Sequence, residues 1–188
     1  MGPSMHRAVE RMRAGGLVVY PTDTLYGIGA DATNFDAVEA LIRLRARDGA
    51  QPISVAVSSI EEIEPLAELG EEARSYVRTH LPGPYTILAR PTLRARDRLA
   101  APIVGTNPTI GIRVPDHPLA RELAREIGGP ITATSANLHG APPVRSIAQA
   151  RARFGSAAGY LDGPPHPSGA PSTLVDVTGT RPRIRSRP

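Results

Sequence analysis

The chain of 188 residues contains no cysteine and no tryptophan, and all 22 of its Lys-plus-Arg cations are arginine because lysine does not occur. Each absence excludes a chemistry. Without cysteine there is no thiolate nucleophile, no disulfide and no thiolate metal site. Without lysine there is no Schiff base and no GxxxxGK[ST] phosphate loop, so any phosphate recognition must use arginine, hydroxyls and backbone amides. Aromatics are scarce, five Tyr and two Phe, and they form no RNA-stacking motif. The five histidines, at 6, 80, 117, 139 and 166, never adopt HExxH or comparable spacing, so no metal-ligating set is expected and His117 is read as a packing or turn residue. No GxSxG elbow surrounds Ser135. No apolar run approaches the ~20 residues that span a bilayer, and the N-terminus lacks the apolar core of a secretory signal. The expectation is a soluble, cytoplasmic protein without a membrane partner.

What is present suffices for one sizeable core, since 40% of the residues are hydrophobic and length alone suggests about one domain, taken as 1–188. The net charge of +4 is a mild cationic bias. Ser4 is expected to cap an amphipathic helix with Met5, Ala8, Val9 and Met12 on one face. Leu17 to Tyr20 reads as a strand buried on both sides. Asn34 opens a helix striped by Val38, Leu41, Ile42 and Leu44, and Arg45 falls at the edge of that stripe, where it needs an anionic partner. Ile53 to Val57 reads as a strand, and Ser59 to Glu62 as a capping box. Further expected elements are a helix over 71–81, a strand over 85–89 and a strand over 110–114. Asp116 then caps a helix closed by Gly128, and the strand 131–133, helix 146–154, short strand 160–161 and hairpin from 173 to 187 follow. Residues 90–108 show no periodicity and read as a loop, either solvated or covering a ligand. The alternation predicts an α/β fold, and the terminal hairpin makes its twisted sheet mixed, flanked by helices.

Polar clusters recur at strand ends: Pro21-Thr22-Asp23-Thr24, Arg113, and Thr132 to Asn137. Open α/β sheets bind ligands at such places. Taken singly, each has an ordinary alternative. Pro-Thr-Asp-Thr can be a turn with satisfied hydroxyls, Arg45 and Arg47 can be solvated cations at a helix C-terminus, and Arg113 can be one half of a structural salt bridge.

Together and in order, the segments resemble the YrdC family of threonylcarbamoyl-AMP synthases over nearly the whole chain. Gly15 to Gly29 resembles the family's opening signature, and Arg45-Ala46-Arg47 with Pro52 is similar to its Lys-x-Arg and prolyl strand entry. Leu81 to Thr86 matches its Pro-Gly-Pro stretch, and Thr109 to Pro118 its Val-Arg-x-Pro-x-His-Pro element. Ser135-Ala136-Asn137, Pro171-Ser172-Thr173 before Val175-Asp176, and Arg187-Pro188 complete the series. Two positions depart from it: Arg45 replaces the family lysine, and Ala56 stands where some relatives carry a histidine that touches threonine. The chain ends where the family usually continues with glycine, so it resembles the short form.

The resemblance implies a YrdC-like fold and an enzyme, a nucleotidyltransferase that makes threonylcarbamoyl-adenylate and pyrophosphate from L-threonine, bicarbonate and ATP. A downstream threonylcarbamoyl transferase complex would use the product to modify tRNA. It implies Thr24, Arg113 and Ser172 for L-threonine, and Arg45, Arg47, Gln51, Thr109, Ser135, Asn137 and Arg187 for ATP. Arg45, Arg47, Ser135 and Asn137 would carry the catalysis, with magnesium accompanying the nucleotide and no protein metal site. Two rival readings remain: a non-catalytic module binding tRNA or double-stranded RNA through its arginines, and a carbamoyl-transfer domain of the hydrogenase-maturation type.

Overall fold

The structure, a computed structural model, describes residues 2–45, 53–104, 108–138, 140–164 and 167–186. Its architecture follows from strand β1 (Leu17–Tyr20), in which all four residues are buried. Leu17 and Val19 pack with Leu41 and Phe154, whereas Val18 and Tyr20 pack with Met5, Met12 and Leu123. A strand covered on both faces must sit inside a sheet with helices on either side.

The remaining strands are β2 (Gly27–Gly29), β3 (Ser54–Ala56), β4 (Ala67–Glu68), β5 (Tyr85–Pro91), β6 (Ile110–Arg113), β7 (Ile131–Ser135), β8 (Ala158–Tyr160), β9 (Thr173–Asp176) and β10 (Arg183–Arg185). They form one sheet in the order β10-β9-β5-β6-β3-β7-β2-β1-β8, with β4 paired to β5. The sheet is mixed as expected, because β1/β8, β3/β6 and β5/β9 pair in parallel and the other neighbours antiparallel.

Helix α1 (Pro3–Arg13) begins with proline at its first turn, where a missing N–H costs no hydrogen bond. Gly2, and not Ser4, therefore occupies the cap. Asn34 caps α2 (Phe35–Leu44) as expected, its side chain accepting from Ala37 N at 3.0 Å. The Ser59 capping box does not form. Glu62 instead accepts from Ser58 N at 3.0 Å, and the segment makes one 3-10 turn. Helix α3 (Glu71–His80) follows. The expected loop over 90–108 contains α4 (Leu93–Arg98), capped by Thr92 Oγ1 accepting from Ala95 N at 3.0 Å, and α5 (Ala101–Val104). Six and four residues are too few to print a helical period on a sequence. Helix α6 (Pro118–Ile127) is capped by the buried His117, one residue beyond the expected Asp116, and ends at Gly128 with φ 81°. Helix α7 (Ile147–Phe154) starts at Ser146.

Side chains two apart on a strand share a face. In register, Ala56 stands beside Arg113 and opposite Ile131, while Ser54 stands opposite Ala133. Helices α1 and α6 cover Val18, Ala56 and Ile131. The same face, continued through Ser54, Gly111, Ala133 and Gly27, is left as an open floor.

A cleft floored by small residues and walled by two guanidinium groups

The floor is low because its residues are short. A Cβ added at Gly111 would lie 2.4 Å from Ser54 Oγ, and one added at Gly27 would lie 3.0 Å from the Tyr20 ring. Above them opens a cleft of about 420 Å³, within the range of small-ligand sites. It lies over the sheet face, so it meets the final residues of β1, β6 and β7 and also the early residues of β3 and β5. That differs from a crevice at carboxyl strand ends, because antiparallel neighbours bring opposite strand ends to one place.

Three hydrogen-bonded groups border this cleft. In the first, Arg113 Nη1 donates to Thr24 Oγ1 at 2.8 Å and Arg113 Nη2 to Asp23 Oδ1 at 2.6 Å. Thr22 Oγ1 accepts from Thr24 N at 3.1 Å and Leu25 N at 3.3 Å, lies 2.9 Å from Thr24 Oγ1, and donates to Leu25 O at 2.7 Å. The turn is thus closed by its own hydroxyl. Arg113 is buried, which disfavours its charged form, and the Asp23 carboxylate opposes that effect. Tyr20 beneath it donates to Thr132 O at 3.0 Å, and burial raises its phenol well above the usual range while Arg113 pulls the other way.

In the second group, Arg45 at the C-terminus of α2 is gripped by one residue at two points, with Nε to Asn137 O and Nη2 to Asn137 Oδ1, both 3.1 Å, and it donates from Nη1 to Thr134 Oγ1 at 2.5 Å. These three bonds go to oxygens of β7 and of the turn that follows it. Ser135 Oγ also donates to Asn137 Oδ1, at 2.5 Å. Asn137 is held in turn through Nδ2, which donates to Leu138 O at 2.9 Å and Ala141 O at 3.0 Å. The third group is Thr86 Oγ1 and Ser172 Oγ, 2.8 Å apart. Residues 168 and 169 dock onto the opening turn, Ser168 N donating to Asp23 O at 3.3 Å and Gly169 N to Thr24 O at 2.8 Å.

Of the residues singled out from sequence, Thr24, Arg45, Thr109, Arg113, Ser135 and Ser172 line this one cleft. Asn137 braces it from behind. Arg47, Gln51 and Arg187 lie outside the described residues. Ser54 was not singled out from sequence, and Thr86, Thr134, Gly27 and Gly111 stood inside quoted segments without a role of their own, since their grouping depends on strand register. Asp23 stood inside the opening motif without a role of its own, although an acid three residues after a strand end and one before a site threonine was a usable signal. Among the described residues no group of three or more His, Cys, Asp or Glu is placed to hold a metal ion, and no helix is long and apolar enough to cross a membrane.

The Sua5_yciO_yrdC family model, described as "Telomere recombination", matches residues 10–187. A putative threonylcarbamoyl-AMP synthase of Mycobacterium tuberculosis is 40% identical over 179 residues, covering 94% of this chain and 80% of that one. The threonylcarbamoyl-AMP synthase of Chromohalobacter salexigens is 38% identical over 171 residues, 90% of each chain. Among solved structures, P. abyssi Sua5 complexed with L-threonine superposes with a TM-score of 0.87 at 31% identity, covering 96% of this chain and 52% of that one.

Proposed function

Since the chain belongs to the Sua5/YciO/YrdC family, we propose that it is an L-threonylcarbamoyladenylate synthase, a transferase of the nucleotidyl class, using L-threonine, bicarbonate and ATP. The observation that carries the reading is one cleft in which two arginines and at least four hydroxyl side chains, all named from sequence, converge. A relative of the same fold takes L-threonine. The threonine carboxylate is assigned to Arg113, with Thr24 Oγ1 beside it, because a planar fork matches a carboxylate. Ser172 would approach the amino acid from the loop that enters β9. Arg45 and Ser135 are assigned to phosphate oxygens and Thr109 to the nucleotide, with Asn137 keeping Arg45 and Ser135 in place. Arg47, Gln51 and Arg187 are assigned to ATP on the family resemblance.

The neutral threonine amine attacks the carbon of bicarbonate or carbon dioxide to give a carbamate, with loss of water in the first case and of a proton to solvent in the second. The carbamate oxygen then attacks the α-phosphorus of ATP, its bond to the bridging oxygen breaks, and pyrophosphate leaves. Negative charge accumulates throughout, so fixed cations and donors supply the acceleration and no covalent enzyme nucleophile is needed. The described cleft lining carries hydroxyls and no carboxylate. That donor set fits magnesium arriving on the phosphates and keeping its waters, and does not make a protein cage. When bound, the ion would neutralise phosphate oxygens. The product would pass to a threonylcarbamoyl transferase acting on tRNA.

The test is product detection. Purified protein with ATP, magnesium, bicarbonate and labelled L-threonine should yield threonylcarbamoyl-adenylate and pyrophosphate in equal amounts. Pyrophosphate release that ignores threonine, or no adenylate at all, would refute the assignment.

A further inference from the structure

The Asp23–Arg113 pair is built in an unusual way for two partners so deeply placed. Their side chains are 12% and 9% exposed, yet they meet at a single point, Nη2 to Oδ1. Asp23 Oδ2 and Arg113 Nε are buried without a hydrogen-bond partner. A structural arginine–carboxylate pair gains most from two parallel bonds, so a pair that leaves two buried atoms unmatched is poorly explained by fold stability alone. Asp23 is also dispensable to its own turn. That turn is closed by Thr22 Oγ1 and by the backbone bonds from Ser168 and Gly169. Finally, Thr24 and Arg113 line the cleft and Asp23 does not.

We infer that Asp23 is a positioning residue for the amino-acid subsite: its carboxylate grips Arg113 Nη2 from outside the cleft and fixes the guanidinium at the wall beside Thr24 Oγ1. The inference rests on the reading of Arg113 as the carboxylate receptor. Two of the three guanidinium nitrogens are then tied to neighbouring residues of one turn, which sets both the position and the plane of the fork. The compensating charge lies behind the arginine, where it does not compete for the substrate's place. Without it, a buried guanidinium would relax toward water in the open cleft, and every binding event would have to reorder a long side chain.

The experiment compares Asp23→Ala and Asp23→Asn with the wild type, measuring L-threonine binding by calorimetry and half-saturation for threonine and ATP in the synthase assay. Asp23→Ala should weaken threonine by about tenfold or more, the loss expected for one charge-assisted contact, with ATP half-saturation within about twofold of the wild type. Asp23→Asn keeps the shape and an acceptor oxygen and should fall between the two, which covers the case in which the alanine variant does not fold. Unchanged or tighter threonine binding in both variants, or equal weakening of threonine and ATP, would overturn the positioning role. Failure of the wild type to bind threonine is a different result, removing the assignment of Arg113 together with this one.

Discussion

Arg113→Ala separates the proposed amino-acid subsite from the proposed nucleotide subsite. The guanidinium sits at the end of β6 with Nη1 on Thr24 and Nη2 on Asp23, so truncation removes the receptor and releases both neighbours. A hydrogen bond to a charged group contributes roughly 1.5–3 kcal/mol. Loss of a two-point grip on a carboxylate, partly offset by water entering the vacated wall, should cost threonine about 3 kcal/mol. At 1.36 kcal/mol per decade, that raises half-saturation about a hundredfold. Arg113→Lys keeps the charge but not the fork and should lose about tenfold. The assay is pyrophosphate release at saturating ATP and bicarbonate with threonine varied, alongside a thermal melt to show that the fold persists. ATP half-saturation should stay within about twofold, because its assigned contacts lie in another hydrogen-bonded group. Threonine dependence within about threefold of the wild type in a folded Arg113→Ala protein would refute the carboxylate assignment.

Three further outcomes follow from other parts of the structure. Asn137→Ala removes the acceptor shared by Arg45 and Ser135 and should raise ATP half-saturation about tenfold while threonine binding by calorimetry stays near the wild type; a selective effect on threonine would contradict it. Gly29→Ala places a Cβ 2.6 Å from the Thr132 carbonyl and 2.9 Å from the Tyr20 ring, so overpacking should cost about 1–3 kcal/mol and lower the melting temperature by roughly 3–10 °C, and an unchanged melt would argue against the close β2–β7 approach. Asp176 accepts from Thr178 Oγ1 and N and from Arg185, which hold its carboxyl down at about 2 from an ordinary 3.8. Its contribution is therefore present above the unfolded value and is lost as pH falls from about 4 toward 2. Urea unfolding of Asp176→Asn should show a flatter acid limb over that window than the wild type, and parallel limbs would refute the linkage.

The long apolar strands were legible because burial on both faces writes a continuous run, as in Leu17–Tyr20, and capping chemistry marked Asn34 correctly. Strands β2 and β4 were not legible. Gly27-Ile28-Gly29 has weak strand propensity by itself and forms a strand because Tyr20 and Thr132 leave room only for glycine. The site divided along the same line. Hydroxyls and arginines adjacent in sequence could be quoted as motifs, whereas the floor required Ser54, Gly111 and Ala133 to be in register across β6, β3 and β7, which no local pattern encodes. The departure at position 56 now has a place. Ala56 stands beside Arg113 and is fully buried under α1 and α6, so a histidine there would have to displace core side chains before touching a substrate.

A chain without lysine meets both charge requirements of the proposed reaction with one side-chain type. Arg113 is fixed by a carboxylate, which offsets its charge and leaves a fork suited to a substrate whose own carboxylate is balanced by an amine. The bonds described for Arg45 fix it through a carbonyl, an amide oxygen and a hydroxyl. Those bonds orient the plane of the guanidinium. Exchanging lysine for arginine at position 45 is accommodated on the same terms: Asn137 supplies two acceptors spaced for a planar fork, which an ammonium would not use together. Arg45→Lys should therefore lose the two-point grip of Asn137 and loosen Ser135 as well, even though it restores the residue that resembling sequences carry.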